Sequence, residues 1–220
     1  MESALGFALL GLVAGLVHAL AGPDHLSAVA PLVVEERRRG WSTGLLWGVG
    51  HSLGVWSVGL LAVALRGVLP VDRLSSSSER LVGVVLIGVG FWGLRRVWLA
   101  RRRSRGKERG GEEAPEAGHH HHAAPGRSSL AALSIGTLHG LAGSSHLLGI
   151  LPALAMPSAA ASVGYVAGFG LGSIAAMVAF SSALALVAVR LTTRGTGAYQ
   201  ALLGACSAAS IVIGGWWLIA

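Results

Sequence analysis

Cysteine and charge are both scarce in this chain, which has one cysteine among 220 residues and only 12% charged residues. A lone Cys206 excludes an internal disulfide, thiol-pair redox chemistry and metal clusters held by several thiolates. Soluble domains contain about a quarter charged residues, so the low charge indicates an integral membrane protein. The net charge is +7, but no basic face with interleaved aromatic residues is present, so we expect no nucleic-acid partner.

Long apolar runs fill most of the sequence. A helix that crosses a bilayer needs about 20 mostly apolar residues, and six segments meet this length: 4–33, 42–65, 79–99, 129–154, 159–190 and 198–219. The first is interrupted by Gly22-Pro23 and the fourth by Gly143-Ser144-Ser145. We therefore predict an all-α integral membrane protein with six transmembrane helices, of which helices 1 and 4 are broken. The start of the chain has no basic region, so we expect the first segment to be retained rather than cleaved as a signal peptide.

The two halves of the chain repeat one pattern. The pairs that match at a separation of 121 residues are His18 with His139, Gly22 with Gly143, His25 with His146, and Pro31 with Pro152. In the second helix of each half, Gly50 fits Gly170 at a separation of 120. Because three helices per copy would insert the second copy upside down, we expect two inverted three-helix repeats, residues 1–100 and 129–220. Inverted repeats whose broken helices meet near the midplane are a known plan for transporters.

The stretch 101–128 between the repeats is charged, rich in glycine and contains proline, so we predict a disordered linker. It contains His119–His122, a tract that either binds transition metals weakly or is simply part of a soluble tether. Basic residues concentrate in this linker, in Arg37–Arg39 and around Arg190. The preference of lysine and arginine for the cytoplasmic side then predicts a cytoplasmic linker and outside termini in a protein of the cytoplasmic membrane.

Ionisable residues inside apolar segments are expensive, so they indicate a functional site. The candidate metal ligands are His18, Asp24, His25, His51, His139 and His146. On an unbroken helix, His18 and His25 would lie about 10 Å apart, too far to share one ion easily. The Gly22-Pro23 break shortens or bends the helix and can swing Asp24 and His25 toward His18. The same residues could also form a plain polar network between helices.

His51 lies in a glycine-rich part of the second segment, Gly48–Gly54. Glycines let membrane helices approach closely, which would bring this ring toward the first break. Its role is either that of a ligand or that of a histidine hydrogen-bonded between helices. The seven tryptophans lie mostly near segment ends, where we expect them to be interfacial anchors.

The donor set limits the choice of ion. Imidazoles favour nickel, cobalt, copper and zinc, whereas all-oxygen sites favour magnesium, calcium or manganese. Several histidines, one carboxylate and no thiolate therefore fit a divalent transition ion. Asp24 would offset part of the charge of that ion inside the bilayer.

With these residues, the sequence resembles the nickel/cobalt permease superfamily, which includes exporters and a urease-accessory (UreH-like) membrane branch. The hallmark of that superfamily is a helix with the motif His-x4-Asp-His, and here five residues separate His18 from Asp24-His25. The longer Gly-Pro-Asp-His form looks like the urease-accessory branch rather than the eight-helix importers. Gly50-His51-Ser52 is similar to a second permease motif, and the histidine-containing linker is similar to that of the exporters. The resemblance implies secondary transport of Ni²⁺ or Co²⁺ through His18, Asp24, His25, His139 and His146.

We therefore predict a transporter rather than an enzyme, with a divalent metal ion and the lipid bilayer as its partners and no cofactor besides the transported ion. Two alternatives stay open. Three histidines and an aspartate could hold zinc and activate water in a membrane hydrolase. The helix N-termini at the breaks could instead serve a transporter of another solute, such as an anion.

Overall fold

The computed structural model describes residues 2–64, 71–109, 127–141, 149, 152–153 and 155–219. Within these ranges the chain forms seven α-helices, a 3-10 helix at Arg37–Arg39 and no β-strand, so the predicted all-α class is confirmed. The helices are α1 (Glu2–Ala21), α2 (Pro23–Glu35), α3 (Gly40–Ala64), α4 (Val71–Arg109), α5 (Arg127–Leu141), α6 (Ala159–Thr193) and α7 (Thr196–Ile219).

Local sequence explains several helix boundaries. Pro23 is the first residue of α2, where its missing N–H costs no helical hydrogen bond. Ser158 caps the start of α6, and its hydroxyl accepts a hydrogen bond from the backbone N–H of Ala161 at 3.2 Å. Gly195 has a φ of 124°, a backbone conformation that favours glycine, and it separates α6 from α7.

The described residues contain three helices that are long and apolar enough to cross a membrane, and up to four spans if a bent pair counts as one. The three are the segment Arg80–Ser104 of α4, together with α6 and α7. The bent pair is Leu5–Ala21 with Pro23–Glu35, whose axes differ by 70°. The break predicted in the first segment is thus present, whereas the break predicted at 143–145 lies outside the described residues. Helix α3, which is not among these spans, contains no aspartate, glutamate, lysine or arginine.

Helix α4 is longer than the sequence predicts. It continues to Arg109, so residues 101–109 are helical rather than the disordered start of a linker. At this end the guanidinium of Arg102 lies 3.8 Å from the centre of the Trp98 ring, one helical turn away. Residues 127 and 128, also predicted as linker, belong to α5, and residues 110–126 lie outside the described residues.

Helices α1 and α6 pack in parallel at a distance that requires glycine. A Cβ atom on Gly11 would collide with the carbonyl oxygen of Tyr165, and one on Gly15 with that of Phe169. Because both partners advance by four residues, the two helices run in the same direction.

Helices α3 and α5 form a second parallel pair of the same kind. A Cβ atom on Gly136 would collide with the carbonyl oxygen of Trp47, and one on Gly140 with that of His51. Each close pair therefore joins a helix from the first half of the chain to a helix from the second half.

Helices α4 and α7 are antiparallel. A Cβ atom on Gly83 would lie 2.7 Å from the carbonyl oxygen of Gly214, and one on Gly90 would lie 2.6 Å from that of Ser207. Helices α3 and α6 are antiparallel as well, with Ser52 donating to the carbonyl of Gly170 at 3.1 Å.

Helix α2 lies in the centre of the bundle. It packs against α3, α4, α6 and α7, and every residue from Ser27 to Val34 is buried. Its 13 residues extend about 20 Å, less than the width of the hydrocarbon core. The bend at Gly22 therefore leaves the first turn of a short, buried helix inside the bundle.

Candidate metal centre

The break between α1 and α2 is a tight corner. Gly22 donates its N–H to the carbonyl of His18 at 3.1 Å and accepts from the N–H of Leu26 at 3.3 Å, so α1 ends and α2 begins on this one residue. His18 lies in the last turn of α1 and Asp24 in the first turn of α2. As a result, the rings of His18 and His25 lie with their centroids 4.7 Å apart, about half the separation expected for an unbroken helix.

The corner requires glycine for reasons of packing. A Cβ atom on Gly22 would collide with Nδ1 of His25 and would lie 2.9 Å from Oδ1 of Asp24. Gly22 has φ of −81° and ψ of 104°, which other residues adopt without strain. A larger residue is therefore excluded at Gly22 because the side chains of Asp24 and His25 occupy the space beside it.

His51 reaches this corner from α3. Its ring is fully buried, and its centroid lies 4.9 Å from that of His25 and 5.8 Å from that of His18. The close approach of α3 to α5 at Gly140 holds this part of α3 against the second half of the chain.

His139 completes the cluster from the second half. It lies in the last turn of α5, as His18 does in α1. Its Nε2 is 3.0 Å from Oδ2 of Asp24, and Oδ1 of Asp24 is 3.2 Å from Nδ1 of His25. In the contact with His139, Nε2 donates to the carboxylate when it carries the hydrogen. One buried carboxylate thus contacts two buried imidazoles from different halves of the chain, and its position in the first turn of α2 also favours a negative charge.

These side chains form two groups that could hold a metal ion. One consists of His18, His25 and His51, and the other of Asp24, His25 and His139. Within each group the donor atoms lie within 4.8 Å of one another. A metal ion binds imidazole nitrogen at about 2.0–2.1 Å, so small ring movements suffice to bring three donors onto one ion.

Two aromatic side chains enclose the cluster. Trp47 stacks on His51 with a centroid distance of 5.1 Å, and it also lies 5.4 Å from the ring of His139. Phe169 covers His18 at 5.2 Å. The prediction of an interfacial anchor is wrong for Trp47, which is fully buried. Its spacing of four residues from His51 in a helix places both on one face, and this signal could have identified it.

Five of the six candidate ligands therefore lie in one buried cluster. His146 is outside the described residues, as is the tract His119–His122. Long apolar helices around a buried centre of histidines and a carboxylate indicate a multi-pass helical membrane protein, in which such residues mark ion or proton pathways.

Comparison with known proteins gives distant relatives. The chain is 30% identical over 200 residues to the chloroplast protein FOR GROWTH AND FERTILITY 2 of Arabidopsis thaliana, and 30% identical over 215 residues to FOR GROWTH AND FERTILITY 1. Each alignment covers 90% of this chain, which spans about half the length of these plant relatives.

A third relative has a name that agrees with the resemblance inferred from the first motif. The urease accessory protein UreH of Bacillus sp. (strain TB-90) is 26% identical over 184 residues, which cover 83% of this chain and 77% of UreH. No family model matches the chain. No solved structure matches it either. The chain is therefore a distant homologue of a urease accessory protein and of two chloroplast proteins.

Proposed function

We propose that this chain is a secondary transporter of divalent transition-metal ions, Ni²⁺ or Co²⁺, across the cytoplasmic membrane. The observation that carries the proposal is the convergence of His18, Asp24, His25, His51 and His139 on one buried corner at a helix break. Ionisable groups in such a place cost free energy of folding, so a role in binding a cation explains their presence. The similarity to the urease accessory protein UreH supports the same direction, because the first motif resembles the urease-accessory branch of the nickel/cobalt permease superfamily.

The donor set supports the choice of ion. Four imidazoles and one carboxylate suit borderline ions such as Ni²⁺, Co²⁺ and Zn²⁺ better than Mg²⁺ or Ca²⁺. The negative charge of Asp24 would offset one of the two positive charges of an ion that has lost its hydration water. Bound imidazoles must be neutral at the donor nitrogen, so binding releases protons and transport can be coupled to them.

The helix pairing supports an inverted repeat of residues 1–100 and 129–220 with six spans. If the second copy is inserted upside down, the first helix of each half must run parallel to the second helix of the other half. The pairs α1 with α6 and α3 with α5 have this direction. The third helices of the two copies must then be antiparallel, as α4 and α7 are.

The glycine contacts also refine the alignment of the repeats. A Cβ atom on Gly50 would collide with the carbonyl of Leu133, and one on Gly172 with that of Leu12. Since Leu12 and Leu133 are separated by 121, Gly50 corresponds to Gly172 rather than to Gly170. In this register His51 corresponds to Ser173, so the first half supplies more metal donors than the second.

The position of Asp24 argues against an anion as the transported solute. The N-terminus of α2 would attract an anion, but the carboxylate of Asp24 lies in its first turn and faces the same cluster. A zinc hydrolase would need a separate general base or acid near the metal. Among the described side chains of the cluster, Asp24 is the single carboxylate, and it is already in contact with two imidazoles.

The test is ion flux with the purified chain in liposomes. We expect uptake of Ni²⁺ or Co²⁺, and a loss of more than about tenfold in the double variant His18→Ala/His25→Ala, which removes ligands from both groups. Ser57→Ala is a matched control, because this exposed hydroxyl bonds to the carbonyl of Leu53 in its own helix at 2.8 Å. Retained flux in the double variant would contradict the assignment of the site. Anion binding that divalent metals do not affect would favour a transporter of anions.

A further inference from the structure

His25 belongs to both groups of candidate ligands. Its ring lies between that of His18, at a centroid distance of 4.7 Å, and that of His139, at 4.8 Å. Its Nδ1 lies 3.2 Å from the carboxylate of Asp24. An imidazole carries two ring nitrogens that point in different directions, so one histidine can serve two ion positions in turn.

The donor atoms of the cluster separate into two triples rather than one set of five. The histidine triple is His18, His25 and His51, and the aspartate triple is Asp24, His25 and His139. The two oxygens of Asp24 contact His25 and His139, and the ring of His51 stacks between those of Trp47 and His18. Three ligands are a usual protein contribution to a labile metal site.

The two triples differ in charge and in donor type. Three neutral imidazoles select for borderline transition ions but leave both charges of the ion uncompensated. The aspartate triple neutralises one of those charges with a carboxylate, which in a buried, low-dielectric place favours a longer stay of the ion. Two divalent ions that shared one imidazole would repel each other strongly, so one ion at a time is expected.

We propose that the centre contains two overlapping ion positions joined by His25, and that the ion passes between them by exchanging ligands around this ring. The histidine triple selects the ion, and the aspartate triple holds it. This inference rests on the proposed transport function. The exchange replaces His18 and His51 with Asp24 and His139, while the ion moves from one ring nitrogen of His25 to the other.

The experiment compares a matched pair of variants, His51→Gln in the histidine triple and His139→Gln in the aspartate triple. Glutamine keeps a side-chain N–H donor but removes the imidazole. Equilibrium binding of Co²⁺ is measured in detergent, X-ray absorption counts the imidazoles bound to the ion, and flux is measured in liposomes. His139→Gln should weaken Co²⁺ binding by more than about tenfold. His51→Gln should change the Kd by less than about threefold while it lowers flux by more than about tenfold.

Asp24→Asn provides a second variant of the aspartate triple in case His139→Gln does not fold. This variant should also weaken Co²⁺ binding by more than about tenfold, because the amide that replaces the carboxylate carries no negative charge. Equal losses of equilibrium binding in His51→Gln, His139→Gln and Asp24→Asn would indicate a single site and overturn the exchange alone. A wild-type protein without Co²⁺ binding or flux would overturn the transport function as well, so the two failures are distinguishable.

Discussion

Asp24 on α2 and His139 on α5 meet across the two halves of the chain, with Oδ2 of the carboxylate 3.0 Å from Nε2 of the imidazole. Both side chains are buried. The contact joins the first turn of one helix to the last turn of another, and Gly140 beside it allows α5 to pack closely on α3. The polar centre is therefore also a structural link between the halves.

This link predicts a coupling in stability between the two residues. His139→Ala should lower the free energy of unfolding by about 3 kcal/mol, because it leaves the buried carboxylate with one partner fewer. Adding Asp24→Ala should then cost less than it does in the wild type, with a coupling of at least about 1 kcal/mol. Chemical unfolding of the four proteins in metal-free detergent measures this. Additive losses would mean that the two side chains do not interact in the folded protein.

Adding one methyl group at Gly22 should have a large effect on metal binding, because the corner between α1 and α2 is tightly packed. Gly22→Ala should displace the ring of His25 and weaken Co²⁺ binding by more than about tenfold, since the new Cβ would occupy the place of Nδ1. Gly204→Ala is the matched control, because a Cβ on this α7 glycine would meet nothing within 4 Å. The control should keep its Co²⁺ affinity and gain up to about 1 kcal/mol of helix stability. Equal affinities in the two variants would contradict the packing at the corner.

The burial of Trp47 against the histidines predicts a spectroscopic signal. Ni²⁺ is paramagnetic, and bound in the cluster it would lie next to an indole whose centroid is 5.1 Å from that of His51, so it should quench the emission of Trp47. Trp47→Phe should remove most of the quenched fraction. Trp216→Phe, which replaces a tryptophan with 67% of its surface exposed, should leave that fraction unchanged. Saturable quenching that persists in Trp47→Phe would place the ion elsewhere.

The parallel direction of α1 and α6 predicts the membrane side of their ends. In a Cys206→Ser background, cysteines introduced at Leu5 and Ala160, both exposed, should react with an impermeant maleimide from outside. A cysteine at Gly197, at the start of α7, should react only after the membrane is permeabilised. Labelling of Leu5 and Ala160 from opposite sides would contradict the inverted repeat.

The break at Gly22-Pro23 and the approach of His18 to His25 could be predicted from sequence because both are local features. Gly22-Pro23 interrupts any helix, and two histidines on either side of a bend must approach each other. The approach of His51 to this break could also be predicted, since the glycines around it allow close packing of helices. Local chemistry was sufficient for these residues.

Other features depend on contacts between distant segments. The pairing of Asp24 with His139 joins residues 115 apart in sequence, and no local pattern fixes it. In the proposed repeat, the register of the second helices differs by two residues from the one predicted from sequence. Gly48, Gly50 and their counterparts align almost equally well in several ways, and the carbonyl against which each glycine packs favours one of them. The prediction that Trp47 is an interfacial anchor is wrong because a tryptophan near the end of an apolar segment fits the membrane interface and a buried core equally well.

The short helix α2 carries two of the candidate metal ligands at its start and a run of buried apolar residues after them. Asp24 and His25 lie in its first turn, and the buried apolar residues Ala28–Val34 follow after Leu26 and Ser27. If the proposed site binds an ion, two of its ligands lie on the same short helix as this buried apolar run. In the proposed transporter, a tilt or shift of α2 that opened a hydrated path past Val33 would also move Asp24 and His25, so opening of the path and weakening of the ion's coordination would be coupled.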